Sequence, residues 1–250
     1  RALALDPKLH SAIRGQLKIW AEYGPTSECL RIAYEFASRA PDDDMEAHLT
    51  LGWGYTFAGL PDFGAREFER ALALDPANEG AQWFLVIARN WNEDHPGCIE
   101  AGRRYTQRFG EDADTYIMMG SSAAALDRDR EALEYLARGY ELQTADRMPF
   151  GAFIYGAMLR ASGRPARMRA VLEQLAAKLE TKLLAHPDNL RTRGDLASIL
   201  AELGDQPRFR DEWEILRSAL SSKGAAPSGE FTSVPFALAQ RGCPSCGCAG

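Results

Sequence analysis

No apolar run in this 250-residue chain is long enough to cross a bilayer as a helix. An excess of positive charge is also missing. The 29 Lys and Arg face 35 Asp and Glu, a net −6 with pI near 5.4. That field repels phosphate backbones and argues against general nucleic-acid binding. Histidines are few and scattered, at His10, His48, His95 and His186, and no His-Glu-x-x-His pattern occurs. The P-loop, the Gly-x-Ser-x-Gly elbow and the Gly-x-Gly-x-x-Gly dinucleotide fingerprint are absent too. Glu93-Asp94-His95 joins acid to imidazole, but just before Pro96 in a turn, where it reads as a helix cap. The acid pairs Glu67/Glu69 and Glu131/Glu134 read as ordinary exposed faces. The five cysteines form no disulfide framework, and Cys29 and Cys98, single in helical patterns, read as buried apolar thiols. The chain is therefore expected to do no chemistry of its own and to need no cofactor.

What the chain has instead is repetition. Arg1-Ala2-Leu3-Ala4-Leu5-Asp6-Pro7 recurs unchanged as Arg70 to Pro76, 69 residues later. Pro7, Pro41 and Pro76 are 34 and 35 apart, and Gly110 follows 34 later. A period of that length belongs to helical repeats, each packing on its neighbours. Arg1 to Pro7 reads as the tail of a repeat whose first helix is missing, so the chain is expected to begin inside a longer array. Neither an initiator Met nor a signal-peptide pattern opens it, and a cytoplasmic location is the expectation.

The clearest unit is 45–78. Leu51-Gly52 and Tyr55 lie at helical spacing, Gly59-Leu60-Pro61 punctuates a turn, and Gly64, Phe68 and Ala71 recur along a second helix ended by Asp75-Pro76. This unit resembles the tetratricopeptide repeat, whose pattern is Trp, Leu-Gly, Tyr, Ala, Phe, Ala and Pro at fixed offsets. His48 stands at the Trp position and Gly64 at the first Ala. The resemblance implies an all-α, right-handed superhelical solenoid of antiparallel helix pairs. It extends over residues 1–223 as a partial repeat, 1–9, and units 10–44, 45–78, 79–112, 113–146, 149–187 and 190–223. The fifth unit carries a long second helix, Pro165 to about Ala185, whose stripe of Val171, Leu172, Leu175, Leu179, Leu183 and Leu184 is expected to pack on neighbouring repeats. A self-association seam is the other reading. The runs Pro41-Asp42-Asp43-Asp44 and Arg103-Arg104 read as a helix cap and as the outer face of a second helix.

In arrays of this family the first helix of each unit lines an inner groove. The family register places Arg14, Lys18 and Glu22, then Leu49, Trp53 and Phe57, then Trp83, Ile87, Asn90 and Trp91, then Ile117, Ser121 and Ala124, then Phe153, Ala157 and Arg160 on that face. The partner-binding candidates are Trp53, Phe57, Trp83, Ile87, Asn90, Trp91, Phe153 and Arg160. Large aromatic rings anchor interfaces, so a protein or peptide segment with apolar anchors is the expected guest. For Trp83 and Trp91 a second reading stays open, that they fill space between repeats. The resemblance argues against a grip on a terminal carboxylate, because Leu49, Trp53, Trp83, Ile87, Ile117 and Ser121 cannot supply the required Lys/Asn/Arg set.

After Lys223 the pattern changes. Gly224 to Gly229 reads as a linker, and Phe231 to Gln240 is apolar enough to cover the end of the last repeat. Cys243, Cys246 and Cys248 then offer half of a zinc site, a redox-active dithiol or an unmetallated tail. The function expected is a non-catalytic protein- or peptide-binding scaffold. The alternative is the substrate-recruiting arm of a larger enzyme of glycosyltransferase or sulfotransferase type.

Overall fold

The computed structural model describes residues 26–41, 43–143 and 150–222. Among them every regular element is an α-helix: α1 (Thr26–Ala37), α2 (Met45–Phe57), α3 (Pro61–Leu74), α4 (Glu79–Trp91), α5 (His95–Phe109), α6 (Ala113–Ala125), α7 (Asp129–Leu142), α8 (Phe150–Ala161), α9 (Pro165–Ala185), α10 (Leu190–Leu203) and α11 (Gln206–Ser222). The chain divides into two compact units, residues 1–143 and 144–250.

In the first unit each helix packs on the next, and α4 also touches both α2 and α6. The first helices of successive pairs thus lie side by side in one layer. They begin 34 residues apart, each behind a side-chain cap. Asp44 accepts from the backbone N–H of Glu46 and Ala47, Asn78 from that of Ala81, and Asp112 from that of Thr115. Such caps satisfy N–H groups that the first helical turn leaves without partners. The acidic run ending at Asp44 thus caps α2, and Asp94 caps α5 through the Gly97 N–H.

The turn inside each pair is equally regular. Gly59, Glu93 and Asp127, also 34 apart, take the left-handed conformation with φ of 80°, 58° and 56°. The next N–H then reaches back five residues, Leu60 to Tyr55 O, Asp94 to Arg89 O and Arg128 to Ala123 O. This is a Schellman closure. Glycine adopts that backbone without strain, whereas Glu93 and Asp127 do so at a cost.

Nine residues after each left-handed residue stands the side chain that locks the pair. Phe68, 0% exposed, lies over Gly52, where an added Cβ would come within 2.5 Å of the ring. Leu136 covers Gly120 in the same way. The pair between them departs from this, and its small residue meets a large one of the next pair. Val86 fills the position equivalent to Gly52, while Gly102 replaces the large residue and receives Met119 from α6. Small against large is conserved, but not which helix supplies which. One core runs through α2–α5, from Leu49 and Phe68 through Leu85 and Val86 to Cys98 and Tyr105. A second, built on Cys29, Ile32, Ala33, Phe36 and Ala47, joins α1 to α2. Cys29 and Cys98 are buried, and burial raises the pKa of both thiols.

In the second unit α8, α9, α10 and α11 pack in sequence. Gly163 and Gly204 are its left-handed turn residues, and the same closure returns at Arg164 to Leu159 O and Asp205 to Leu200 O. The stripe of α9 packs inward: Val171, Leu172, Leu179 and Leu183 are buried and Leu175 joins the core with Leu196, Ile199 and Leu200. Leu184 departs from it at 86% exposed. The packing reading of that stripe is the one the helix follows.

Candidate functional site

The layer of first helices in the first unit carries a continuous band of aromatic rings. Trp91 meets Phe57 edge-on, with centroids 5.8 Å apart, and Phe57 lies 5.3 Å from Trp53. Trp53 meets Phe84 edge-on at 4.3 Å, and Phe84 in turn meets Trp83 at 4.8 Å. Helical spacing explains the band: Trp53 and Phe57 are one turn apart on α2, Trp83 and Trp91 two turns apart on α4, and the helices touch.

The rings differ in exposure, and that decides what each can do. Trp91 is 49% exposed, the most open ring of the band. Trp53 and Phe57 are half-buried, and Trp53 packs against both cores of the unit. Its indole Nε1–H is buried and has no hydrogen-bond partner. Trp83 is half-buried and donates Nε1–H to Asp112 Oδ2 at 3.1 Å, the same oxygen that caps α6. Trp83 therefore also ties one repeat to the next, whereas Trp91 presents a free face.

Two of the expected groove residues are corrected. Ile87 is only 5% exposed and belongs to the interior. Asn90 is engaged inside the array. Its Nδ2 donates to Ser122 Oγ at 3.0 Å, Ser121 Oγ at 3.1 Å and Met118 O at 3.4 Å. Leu49 and Ile117 are likewise buried. Phe84 was not anticipated, since the family register assigns the groove to its neighbour Trp83. Its signal is the aromatic run Trp83-Phe84 itself, which forces one ring towards the layer and the other towards Phe68, on which Phe84 stacks at 5.7 Å.

Phe153 and Arg160 lie on α8, in the second unit. Phe153 packs against the core of α9 and α10, and Arg160 pairs with Glu202 at 2.8 Å. Arg14, Lys18, Glu22, Phe231 to Gln240, Cys243, Cys246 and Cys248 lie outside the described residues.

One buried charge cluster accounts for the His48 departure. Glu67, 8% exposed, receives His48 Nδ1 at 2.7 Å on one oxygen and Arg70 at 2.6 Å on the other. A carboxylate so far from water needs such partners. A cavity of about 480 Å³ opens beside them, lined by Ala37, Pro41, Ala47, His48, Leu51 and Arg70. None of these lining residues offers a hydroxyl or thiol nucleophile. Nor do three or more His, Cys, Asp or Glu side chains converge as a metal site among the described residues. No described helix is long and apolar enough to cross a membrane.

No family model matches the chain, and no curated protein matches it in sequence. Solved structures do. The model superposes on MamA from Desulfovibrio magneticus RS-1 with a TM-score of 0.56 at 15% identity, covering 72% of this chain and 97% of that one. MamA of MSR-1 gives 0.52 at 16%, over 69% and 98%. A chain of the Cut9–Hcn1 hetero-tetramer of the APC/C gives 0.58 at 17%, over 86% and 40%. These neighbours are tetratricopeptide-type helical arrays. The fold is tetratricopeptide-repeat-like. With left-handed turns, caps and small-on-large contacts at a 34-residue spacing, the first unit builds that repeat with residues that often differ from the family's own.

Proposed function

We propose that the chain is a non-catalytic scaffold that docks an apolar segment of another protein along the aromatic layer of its first unit. The observation that carries this reading is the band Trp91–Phe57–Trp53–Phe84–Trp83, open at Trp91 and rooted in two cores. A half-exposed indole on a rigid floor combines a large contact area with little conformational entropy to lose, which suits an interface anchor. The tetratricopeptide-like fold of the chain is consistent with a binding role.

Capture from native lysate tests the reading with Trp91→Ala/Phe57→Ala against wild type. Phe63→Ala serves as control, because Phe63 is 47% exposed in a separate aromatic group with Tyr55 and Arg66. Proteins held by wild type and by the control but lost from the double variant are expected. Loss with Phe63→Ala and retention by the double variant would move the binding face elsewhere.

A further inference from the structure

The aromatic band sits in a strongly acidic part of the chain. Residues 26–143 contain 22 Asp and Glu against 11 Arg and no Lys, a net −11. Residues 144–250 carry 14 Lys and Arg against 11 Asp and Glu, a net +3. Nine of the 22 acids of residues 26–143 stand where the first helices begin and end. At the start of the three helices lie Asp43, Asp44 and Glu46, then Glu79, then Asp112 and Asp114. At the turns that follow lie Glu93 and Asp94, two and three residues beyond Trp91, and then Asp127. Within α2, α4 and α6 the one Arg or Lys is Arg89, whose guanidinium pairs with Glu69 at 2.7 Å and with Asp94 at 3.9 Å, and donates to Gly97 O at 3.2 Å.

Capping explains why individual carboxylates stand at helix starts. It does not remove their charge. The band therefore lies between two rims in which acids outnumber bases; the cations within α2, α4, α6 and the turns that follow them are Arg89 and Arg128, and Arg128 pairs with Glu131 at 3.6 Å. Opposite charge across an interface steers encounter and selects partners, and like charge rejects them. An exposed indole also attracts Lys or Arg over its face.

Resting on the scaffold reading above, we infer that the partner segment is basic: Leu or aromatic anchors for the band, interleaved with Lys or Arg that face the two acidic rims. An acidic segment with the same anchors is excluded by its charge.

Three peptide pools test this on the full chain. They share Leu, Phe or Trp anchors at i, i+3 or i+4, and i+7, and differ only in carrying Lys, Gln or Glu between anchors. Tryptophan fluorescence titration at about 50 mM and about 500 mM salt reads the affinities, since screening shortens the reach of these charges several-fold. The Lys pool is expected to bind about tenfold or more tighter than the Glu pool at low salt, with Gln between them, and the spread should shrink at high salt. Glu93→Gln/Asp127→Asn keeps the turns and removes two charges, and should weaken the Lys preference about threefold while leaving Gln binding unchanged. Equal binding of all pools, lost with Trp91→Ala/Phe57→Ala, overturns the basic partner and leaves the aromatic scaffold standing. A preference for Glu overturns it as well. No binding by any pool, or binding that survives the double variant, overturns the scaffold reading along with it.

Discussion

Residues 26–143 and 150–222 build the same kind of helix pair to different measures. In the first unit the caps Asp44, Asn78 and Asp112 and the turn residues Gly59, Glu93 and Asp127 all keep a 34-residue spacing. In the second, Gly163 comes 36 residues after Asp127 and Gly204 another 41 after Gly163, because α9 runs for 21 residues. The turn closure survives in both units, and the Asn189 side chain caps α10 as Asn78 caps α4. Helix length and charge are free to change. The turn closure recurs in both units, because it satisfies backbone groups that packing would otherwise bury without partners. The aromatic band and the acidic excess belong to the first unit, so the proposed docking face is laid over a framework that both units share.

The sharpest way to probe that shared framework is the position nine residues after each turn residue. Phe68, Leu136 and Leu172 are buried there, but Trp213 is 47% exposed. Phe68→Ala is expected to cost about 3–5 kcal/mol, with full loss of the ring from a closed core. Trp213→Ala should cost under about 1 kcal/mol, as surface changes usually do. Denaturant melts of both variants check this; equal losses would mean that Trp213 is as structural as Phe68.

Caps give the next effect. Asp112 accepts from Thr115 N at 2.8 Å, Thr115 Oγ at 2.9 Å and Trp83 Nε1 at 3.1 Å. Asn189 accepts only from Thr192 N, at 3.0 Å, among the hydrogen bonds described. Asp112→Ala should therefore cost about 2 kcal/mol and Asn189→Ala about 1 kcal/mol. Hydrogen exchange by mass spectrometry locates each loss. The first should speed exchange in α4 and α6, the second in α10 and α11.

Much of this was legible in the sequence. The spacing of Pro41 and Pro76, the Leu51-Gly52 pair and the acids before Met45 suffice to anticipate helix pairs, a small residue under Phe68 and a cap at Asp44. Trp53, Phe57 and Trp91, which the inner register sets on one face, stand in one chain of ring contacts. Ile87 and Asn90 escaped it, since a repeat register says which way a side chain leaves its helix but not how closely the next helix approaches. The exchange of small and large at Val86 and Gly102 was hidden for a similar reason, because it becomes visible only when Met119 of the following pair is placed.

The two units should also answer differently to pH. Asp195, on α10, has its pKa pushed up from 3.8 to about 6, mainly by burial, with Arg191 and Lys182 pulling the other way. Below about 4 the carboxyl is protonated in folded and unfolded chain alike. Between these values the folded chain holds the extra proton, so stability falls as pH rises towards and through 6. Asp195→Asn should remove that loss. Its melting temperature should match or trail wild type at pH 3.5 and exceed it at pH 7, with protection gained in α9 and α10. A difference independent of pH would show that ionisation of Asp195 carries no cost.

The smallest effect tests whether the turns are truly equivalent. Glu93 and Asp127 hold a left-handed backbone that Gly163 holds without a side chain. A β-carbon in that region costs about 1–2 kcal/mol, while glycine frees the unfolded chain and returns part of the gain. Glu93→Gly and Asp127→Gly should each stabilise the first unit by about 0.5–1 kcal/mol, and Gly163→Asp should destabilise the second by a similar amount. The effects should be symmetric, since the same closing bond spans every turn: Asp94 to Arg89, Arg128 to Ala123 and Arg164 to Leu159. If Gly163→Asp proves costless while the two glycine variants gain, the turns share a shape but not a strain. The side chains of Glu93 and Asp127 would then be retained for the charge they place beside Trp91, not for the fold.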